Sequence, residues 1–155
     1  MKISTKGRYA LRVMIDLASQ DQTKYIPLKE IAARQGISKK YLEALIKRLV
    51  KDQFIQGIRG KGGGYRLIKA PETITVLDVL ESMEDDLAPV ACLGAHAQPC
   101  HRKAQCQTLP IWQGLYQLIV HYFSSITLKS LLETPFDIDA FVNNAFKEER
   151  GKVNR

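Results

Sequence analysis

The sequence predicts a mainly α-helical protein with one small β-hairpin. Six segments carry apolar residues at the three-to-four-residue spacing of an amphipathic helix. Two short alternating segments flank the stretch "GKGGG" at 60–64, as in a hairpin. The chain has 155 residues, of which 45% are hydrophobic, so it can bury a core without disulfide bonds. No apolar run approaches the ~20 residues that a membrane-spanning helix needs, and we expect no membrane partner.

The first three helices are predicted in the N-terminal third. The first covers 7–19, and the second begins at Pro27, whose missing N–H costs nothing in a first turn. The second stops at Gly36, and Ser38 is the expected N-cap of the third helix, 39–51. Two helices joined by a short turn, the second with a basic outer face, are typical of a helix-turn-helix. A helical hairpin with a solvated basic face is the alternative.

The stretch "FIQGIRGKGGGYRL" at 54–67 predicts the hairpin and its basic tip. Glycines around Lys61 let the backbone approach a ligand closely. A phosphate-binding loop is excluded, because such a loop needs Gly-Lys-Ser/Thr followed by a helix, whereas this stretch continues into a strand. A basic hairpin directly after a helix-turn-helix is a wing. The predicted fold is therefore a winged helix-turn-helix, in which Arg59 or Lys61 would reach phosphates or a minor groove.

The C-terminal half is predicted to add a long dimerisation helix to this fold. Thr75 can cap a short helix at 76–84, an irregular stretch follows at 87–107, and the long helix covers 109–126. Its apolar residues are spaced three and four apart, as in a coiled-coil seam. The seam consists of Trp112, Leu115, Ile119, Tyr122 and Ile126. An intramolecular core helix is the alternative, and a second amphipathic helix at 137–148 is expected to pack against the dimer.

These elements divide the chain into four predicted parts. They are a winged helix-turn-helix domain (1–86), a cysteine-rich loop (87–107), dimerisation helices (108–149) and a polar tail (150–155). We find no Ser/His/Asp or Cys/His constellation and no paired carboxylates on one helical face. The sequence therefore does not predict an enzyme.

Positive charge is concentrated in the N-terminal half of the chain. Of the formal net charge of +7, residues 1–70 carry 16 Lys and Arg against 5 Asp and Glu, and the remainder carries 7 against 11. A basic half joined to a mildly acidic half suggests a module that binds a polyanion such as nucleic acid. An uneven solvated surface is the alternative that charge alone leaves open.

The three cysteines lie together in the irregular stretch, at C-x7-C-x5-C. They are Cys92, Cys100 and Cys106. Arg12 and Asp16 interrupt the apolar N-terminal stretch, so no signal peptide is predicted and we expect a cytoplasmic protein. In that compartment clustered cysteines bind metal or do redox chemistry more often than they form structural disulfides. Their spacing is wider than in zinc knuckles and suits a group larger than one ion, although a metal-free disulfide switch is the alternative.

Four segments together resemble the Rrf2 family of bacterial transcription regulators. They are "KISTKGRYALRVMIDLA" (2–18), "LKEIAARQGISKKYLEALIKRL" (28–49), "IRGKGGGYRL" (58–67) and "ITVLDVLESME" (74–84). With the three cysteines, the likeness spans roughly residues 1–133 and is greatest to the iron–sulfur cluster branch of the family. The resemblance implies a homodimer that binds double-stranded DNA at a palindromic operator.

The resemblance also implies a DNA-facing set on the third helix and the wing. It comprises Ser38, Lys39, Lys40, Tyr41, Glu43, Ala44, Arg48, Arg59, Lys61, Gly62 and Gly63. Glu43 is unusual in this set, because DNA phosphates repel a carboxylate. Its presence at the interface is favourable only if it accepts a hydrogen bond from a cytosine amino group. Its alternative role is an ion pair with Lys39 or Lys47, each four residues away.

The same resemblance implies that the three cysteines hold an iron–sulfur cluster, [2Fe–2S] first and [4Fe–4S] second. Such a cluster is easily lost in air, so protein prepared aerobically can lack it. Relatives place a fourth ligand three residues after the third cysteine or near position 8, where this chain has Leu109 and Arg8. His96 and His101 are therefore the candidate fourth ligands.

Overall fold

A computed structural model of the protein describes residues 2–133, 137–140 and 142. The α-helices are α1 (Thr5–Ala18), α2 (Leu28–Gln35), α3 (Lys39–Lys51), α4 (Val76–Met83), α5 (Leu109–Ser124) and α6 (Leu128–Leu132). The strands are β1 (Ile55–Ile58) and β2 (Gly64–Leu67), and single 3-10 turns cover Pro71–Thr73, Ala91–Leu93 and Lys103–Gln105. The predicted mainly helical fold with one hairpin is confirmed. In the described part of the chain, no helix is long and apolar enough to cross a membrane.

Capping residues fix the beginnings of α1 and α3. The Ser4 hydroxyl accepts a hydrogen bond from the Gly7 amide at 3.1 Å, so α1 begins two residues earlier than predicted. The Ser38 hydroxyl accepts from the Tyr41 amide at 3.3 Å, as expected of an N-cap. Between α2 and α3, Gly36 has a φ of 62° in the left-handed region, which a residue with a Cβ adopts at a cost.

A nearly buried ion pair holds α2 against α1. Asp16 on α1 has a side chain only 4% exposed, and the Arg34 Nε and Nη2 atoms donate to its two oxygens at 2.8 Å each. The Gln35 amide donates to the same carboxylate at 3.0 Å. These bonds join the helices on either side of the first loop and hold the last turn of α2 against α1.

The hairpin packs against the helices through one face. Ile55 and Leu67 are paired across the two antiparallel strands, and both side chains are buried in the core. Ile26, just before α2, forms a further bridge with Tyr65, with the two amide-to-carbonyl hydrogen bonds each 2.9 Å long. This third backbone segment was not predicted, and it ties the wing to the start of α2.

The chain returns from α5 to the N-terminal core. Residues 126–128 run beside 74–76, with Val76 N donating to Ile126 O at 2.8 Å and Leu128 N donating to Ile74 O at 2.9 Å. This extended pairing ends α5 at Ser124, two residues before the predicted end. The unpredicted helix α6 then places Leu128, fully buried, in the same core as α1 and α3. Residues 1–86 therefore do not complete their core alone.

Helix α5 is the least covered helix of the core fold. Tyr116, Tyr122 and Phe123 pack against a second apolar cluster on its inner side. That cluster consists of Val76, Leu80, Leu87 and Ile126. No residue within α5 is buried, and its outer side is free within the described chain. The helix predicted at 137–148 lies mostly outside the described residues.

Candidate nucleic-acid interface and cysteine cavity

Helix α3 separates an apolar inner face from a polar outer face. Leu42, Leu45, Ile46 and Leu49 are buried in the core. The outer residues are exposed, namely Ser38, Lys39, Lys40, Glu43, Ala44, Lys47, Arg48 and Lys51. Seven of these eight positions carry a polar or charged side chain, and Ala44 places a methyl group among them. The outer face therefore presents mainly cationic groups, as phosphate binding needs.

Tyr41 lies at the edge of this face and anchors α3 to α1. Its ring packs edge-on against Tyr9, with centroids 5.7 Å apart and planes at 88°. The same Tyr9 ring also contacts the Arg12 guanidinium, whose central carbon lies 5.1 Å from the ring centre. Tyr41 is half-buried as a result, so its ring positions the start of α3.

Glu43 lies exposed on the outer face of α3. In the described residues, no ion pair joins it to Lys39 or Lys47, which was the alternative role. A carboxylate without an intramolecular cation is available to a hydrogen-bond donor on a ligand.

Arg48 is held in place by a carboxylate at the end of its own helix. Its Nε donates to Asp52 Oδ2 at 2.7 Å, and its side chain is 50% exposed. Arg48 also lines a small cavity of about 90 Å³ with Lys6 of α1, Tyr41 and Ala44. Lys6 is thus a further cation beside the α3 face, and it was missed from the sequence because it precedes the helix predicted at 7–19.

The wing extends the basic surface beyond α3. Its tip closes with a hydrogen bond of 3.0 Å from Gly63 N to Gly60 O, and Gly60 and Gly62 have φ angles of 94° and 78°. Arg59 and Lys61 are exposed on this tip. A groove of about 360 Å³ separates the wing from α3, with Lys47 and Arg59 on its walls.

The three cysteines line one cavity of about 310 Å³. Ala97, Gln98, Pro99, Lys103 and Leu109 complete its lining. Cys92 and Cys100 are exposed and Cys106 is partly exposed, and all three are free thiols. His96 and His101 are exposed and do not line the cavity, whereas Leu109 does. The fold brings the three predicted sulfur ligands together, and neither candidate histidine joins them.

The donors that this cavity offers are three thiols. In the parts of the chain with described positions, no group of three His, Cys, Asp or Glu side chains is placed to hold a metal ion. Thiolates are soft ligands, which suit both zinc and iron–sulfur clusters.

Two acidic residues fix the approach to the cysteine loop. Asp86 accepts hydrogen bonds from the amides of Ala88 at 2.7 Å and Ala95 at 2.9 Å. Glu84 accepts from the Ser4 amide at 3.0 Å and from its hydroxyl at 2.8 Å. Glu84 therefore joins the end of α4 to the start of α1, and Asp86 holds the first half of the cysteine loop close to that end.

The Cys106 thiol is activated by its neighbour Thr108. Hydrogen bonds from the Thr108 hydroxyl, 3.5 Å from the sulfur, and from the Thr108 amide lower the pKa of Cys106 below its ordinary value. A lower thiol pKa raises the fraction of thiolate, which is the form that binds metal and reacts with oxidants.

Residues 3–134 match the Rrf2 family, described as iron-dependent transcriptional regulators. The chain belongs to the Rrf2 family. It is 38% identical over 133 residues to an HTH-type transcriptional regulator of Neisseria meningitidis serogroup A, covering 86% of this chain and 88% of that one. It is 36% identical over 139 residues to the transcriptional regulator IscR of Photorhabdus laumondii, covering 90% and 84%.

Solved structures of Rrf2 relatives share the fold. CymR, the global cysteine regulator of B. subtilis, superposes with a TM-score of 0.68 at 34% identity, covering 84% of this chain and 95% of that one. IscR of T. potens gives the same TM-score and identity, covering 86% and 87%. This Rrf2 protein is therefore a DNA-binding transcriptional regulator with a winged helix-turn-helix, and it is not an enzyme.

Proposed function

We propose that this Rrf2 regulator is a homodimer whose operator affinity depends on an iron–sulfur cluster held by Cys92, Cys100 and Cys106. The observation that carries the proposal is that all three cysteines line one cavity. The likeness to IscR proteins supports it, since these relatives cover most of the chain.

The donor set favours a cluster over a single ion. Thiolates are the usual ligands of iron–sulfur clusters, and the three cysteines line a cavity of about 310 Å³. Leu109 lines the cavity at the position where related regulators carry a histidine, so the fourth ligand is a group other than that residue. A bound cluster supplies a group that oxidants and nitric oxide alter. The protein's part is to present three thiols, and hydrogen bonds from Thr108 lower the pKa of Cys106.

Ligation would order the loop between α4 and α5. The loop leaves the body at Leu87, which is buried in the second apolar cluster, and enters α5 at Leu109. Cys92 lies near the first end and Cys106 near the second, so one group bound to both would fix the distance between the two helices. In a dimer formed through α5, that distance sets the spacing of the two recognition helices.

The DNA contacts would come from the predicted set on α3 and from the wing. The lysines and arginines would bind phosphates and set the register, while Glu43 would accept from a cytosine amino group in the major groove. Two copies related by a twofold axis would require an operator with two inverted half-sites.

The decisive experiment is anaerobic purification with an absorption spectrum and iron and sulfide assays, compared with Cys92→Ala. A brown protein with equal iron and sulfide, bleached by the substitution, supports the cluster, and iron per chain separates [2Fe–2S] from [4Fe–4S]. His96→Ala and His101→Ala are matched controls that test the fourth ligand, because either loss would weaken the cluster only if that histidine binds it. Colourless, iron-free protein after reconstitution would contradict the proposal.

A metal-free disulfide switch is the second candidate, favoured by the exposure of Cys92 and Cys100 on the cavity that contains the activated Cys106. Thiol titration after mild peroxide treatment, without iron, tests it. Loss of two thiols per chain together with changed DNA affinity would support this candidate, and three unchanged thiols would contradict it.

A further inference from the structure

Two side chains from different helices bind the same carboxylate oxygen beside the recognition helix. Asp52 Oδ2, at the C-terminal end of α3, accepts from Arg48 Nε at 2.7 Å. The same atom accepts from the Ser82 hydroxyl at 2.6 Å, from the last turn of α4. The three residues therefore form a chain of hydrogen bonds from α4 to the outer face of α3.

This arrangement occupies only one edge of the Arg48 guanidinium. Nε is engaged by Asp52, and within the described residues neither Nη1 nor Nη2 has a hydrogen-bond partner. The two Nη groups are donors in a fixed plane, which matches the spacing of phosphate oxygens. Arg48 is half exposed and lines the small cavity that it shares with Lys6 and Ala44, so its side chain is accessible beside the outer face of α3.

The carboxylate stays charged in this setting. Hydrogen bonds from Ser82 and Arg48 lower the pKa of Asp52 below its ordinary value. A deprotonated Asp52 holds the guanidinium in one orientation, and the Ser82 hydroxyl holds Asp52 in turn. A long arginine side chain loses conformational entropy when it binds phosphate. If its rotamer is fixed before binding, this entropy cost is smaller and the phosphate is bound more tightly.

We propose that Asp52 and Ser82 are positioning residues that orient Arg48 for a DNA phosphate. The inference rests on the proposed DNA contacts of α3 and deepens them, because it assigns part of that site to α4. In this role the Ser82 hydroxyl affects DNA binding only through Arg48. A hydroxyl that simply joined α3 to α4 would stabilise the fold and would affect all DNA contacts alike.

A double-mutant cycle of Ser82→Ala with Arg48→Ala separates these two roles. The probe is a fluorescent duplex selected by the wild-type protein from a random-sequence pool, with affinity measured by anisotropy over a range of salt concentrations. We expect Ser82→Ala to weaken binding roughly threefold in the wild-type background and to have no effect beside Arg48→Ala. Arg48→Ala itself should reduce the salt slope by about one, as the loss of one phosphate contact does.

The controls use a conservative variant and a distant arginine. Ser82→Thr keeps the hydroxyl and should restore wild-type affinity. Ser82→Ala combined with Arg59→Ala, on the wing, should show additive effects because no bond joins these residues. If Ser82→Ala weakens DNA affinity by the same factor in the wild-type and Arg48→Ala backgrounds, the positioning role is overturned. If the wild-type protein selects no duplex, the proposed function itself fails, which is a different outcome from an additive cycle.

Discussion

An exposed apolar stripe on α5 is the predicted contact surface of the proposed homodimer. Ile111, Leu115 and Leu118 follow one another at helical spacing, and they are 62%, 40% and 39% exposed. Apolar side chains left in water on one helix face mark an interaction surface. We therefore expect this stripe to be buried against a second copy of the chain.

The expected energy follows from the exposed fractions. Burying a complete Leu or Ile side chain contributes about 2 kcal/mol, so the three exposed parts are equivalent to about 3 kcal/mol in each protomer. Alanine retains part of the apolar surface, which reduces the loss of burial energy. In a twofold dimer each substitution occurs in both protomers, which doubles it. The triple variant Ile111→Ala, Leu115→Ala, Leu118→Ala should weaken dimerisation by about 4 kcal/mol, which is about a thousandfold in Kd.

Sedimentation equilibrium over a range of protein concentrations measures this Kd directly. Gln113→Ala and Gln117→Ala, on exposed positions of the same helix, are the matched control and should leave Kd unchanged. The circular dichroism spectrum should be the same for all variants, because the stripe does not contribute to the protomer's core. A triple variant that dimerises as tightly as wild type would refute the assignment of this face.

Three further substitutions test the fold and the cysteine loop. Leu128→Ala should lower the free energy of unfolding by about 2 to 5 kcal/mol in urea titrations, since Leu128 is fully buried. Gln53→Gly should raise it by about 1 kcal/mol in the same assay, because Gln53 has a φ of 59° at the end of α3 and glycine adopts that conformation without strain. Thr108→Val removes the hydroxyl that lowers the pKa of Cys106, so thiolate should form at higher pH. Alkylation of Cys106 by iodoacetamide, followed against pH by mass spectrometry, should shift to higher pH, and an unchanged profile would contradict the role of Thr108.

Local sequence patterns predicted the elements that local interactions stabilise. Helices α1 to α4 and the hairpin each have a complete apolar period, a cap or a turn that can be recognised within the segment. Helix α6 has only five residues, too few for a complete apolar period, although Thr127 caps it and its hydroxyl accepts from Ser130 N at 3.1 Å. Its stability depends mainly on the burial of Leu128 in the core. Tertiary contacts of that kind leave little trace in the local sequence.

The predicted dimer seam shows what helical periodicity cannot resolve. Leu115 is exposed as a partner contact requires, but Tyr122 packs in the protomer's own second cluster. Ile126 lies beyond the end of α5 and is 4% exposed, so it offers a partner almost no surface. Periodicity finds the apolar residues of a helix, whereas the packing of α4 decides which of them the protomer covers. The spacing of the cysteines has the same limit, because it did not show that Leu109 rather than a histidine lines their cavity.

The anchoring of α4 limits how a cluster could change DNA binding. Helix α4 is bound at its start by Val76 N to Ile126 O and just beyond its end by Glu84 to Ser4. Its Val79 and Met83 side chains lie in the same core cluster as buried residues of α1 and α3, so we expect these three helices to move together. Helix α5 has no buried residue and packs through one side only. A change in the cysteine loop should therefore reorient α5 more easily than it moves α4. We expect the cluster to alter the distance between the α3 faces of the two protomers and to leave each face unchanged.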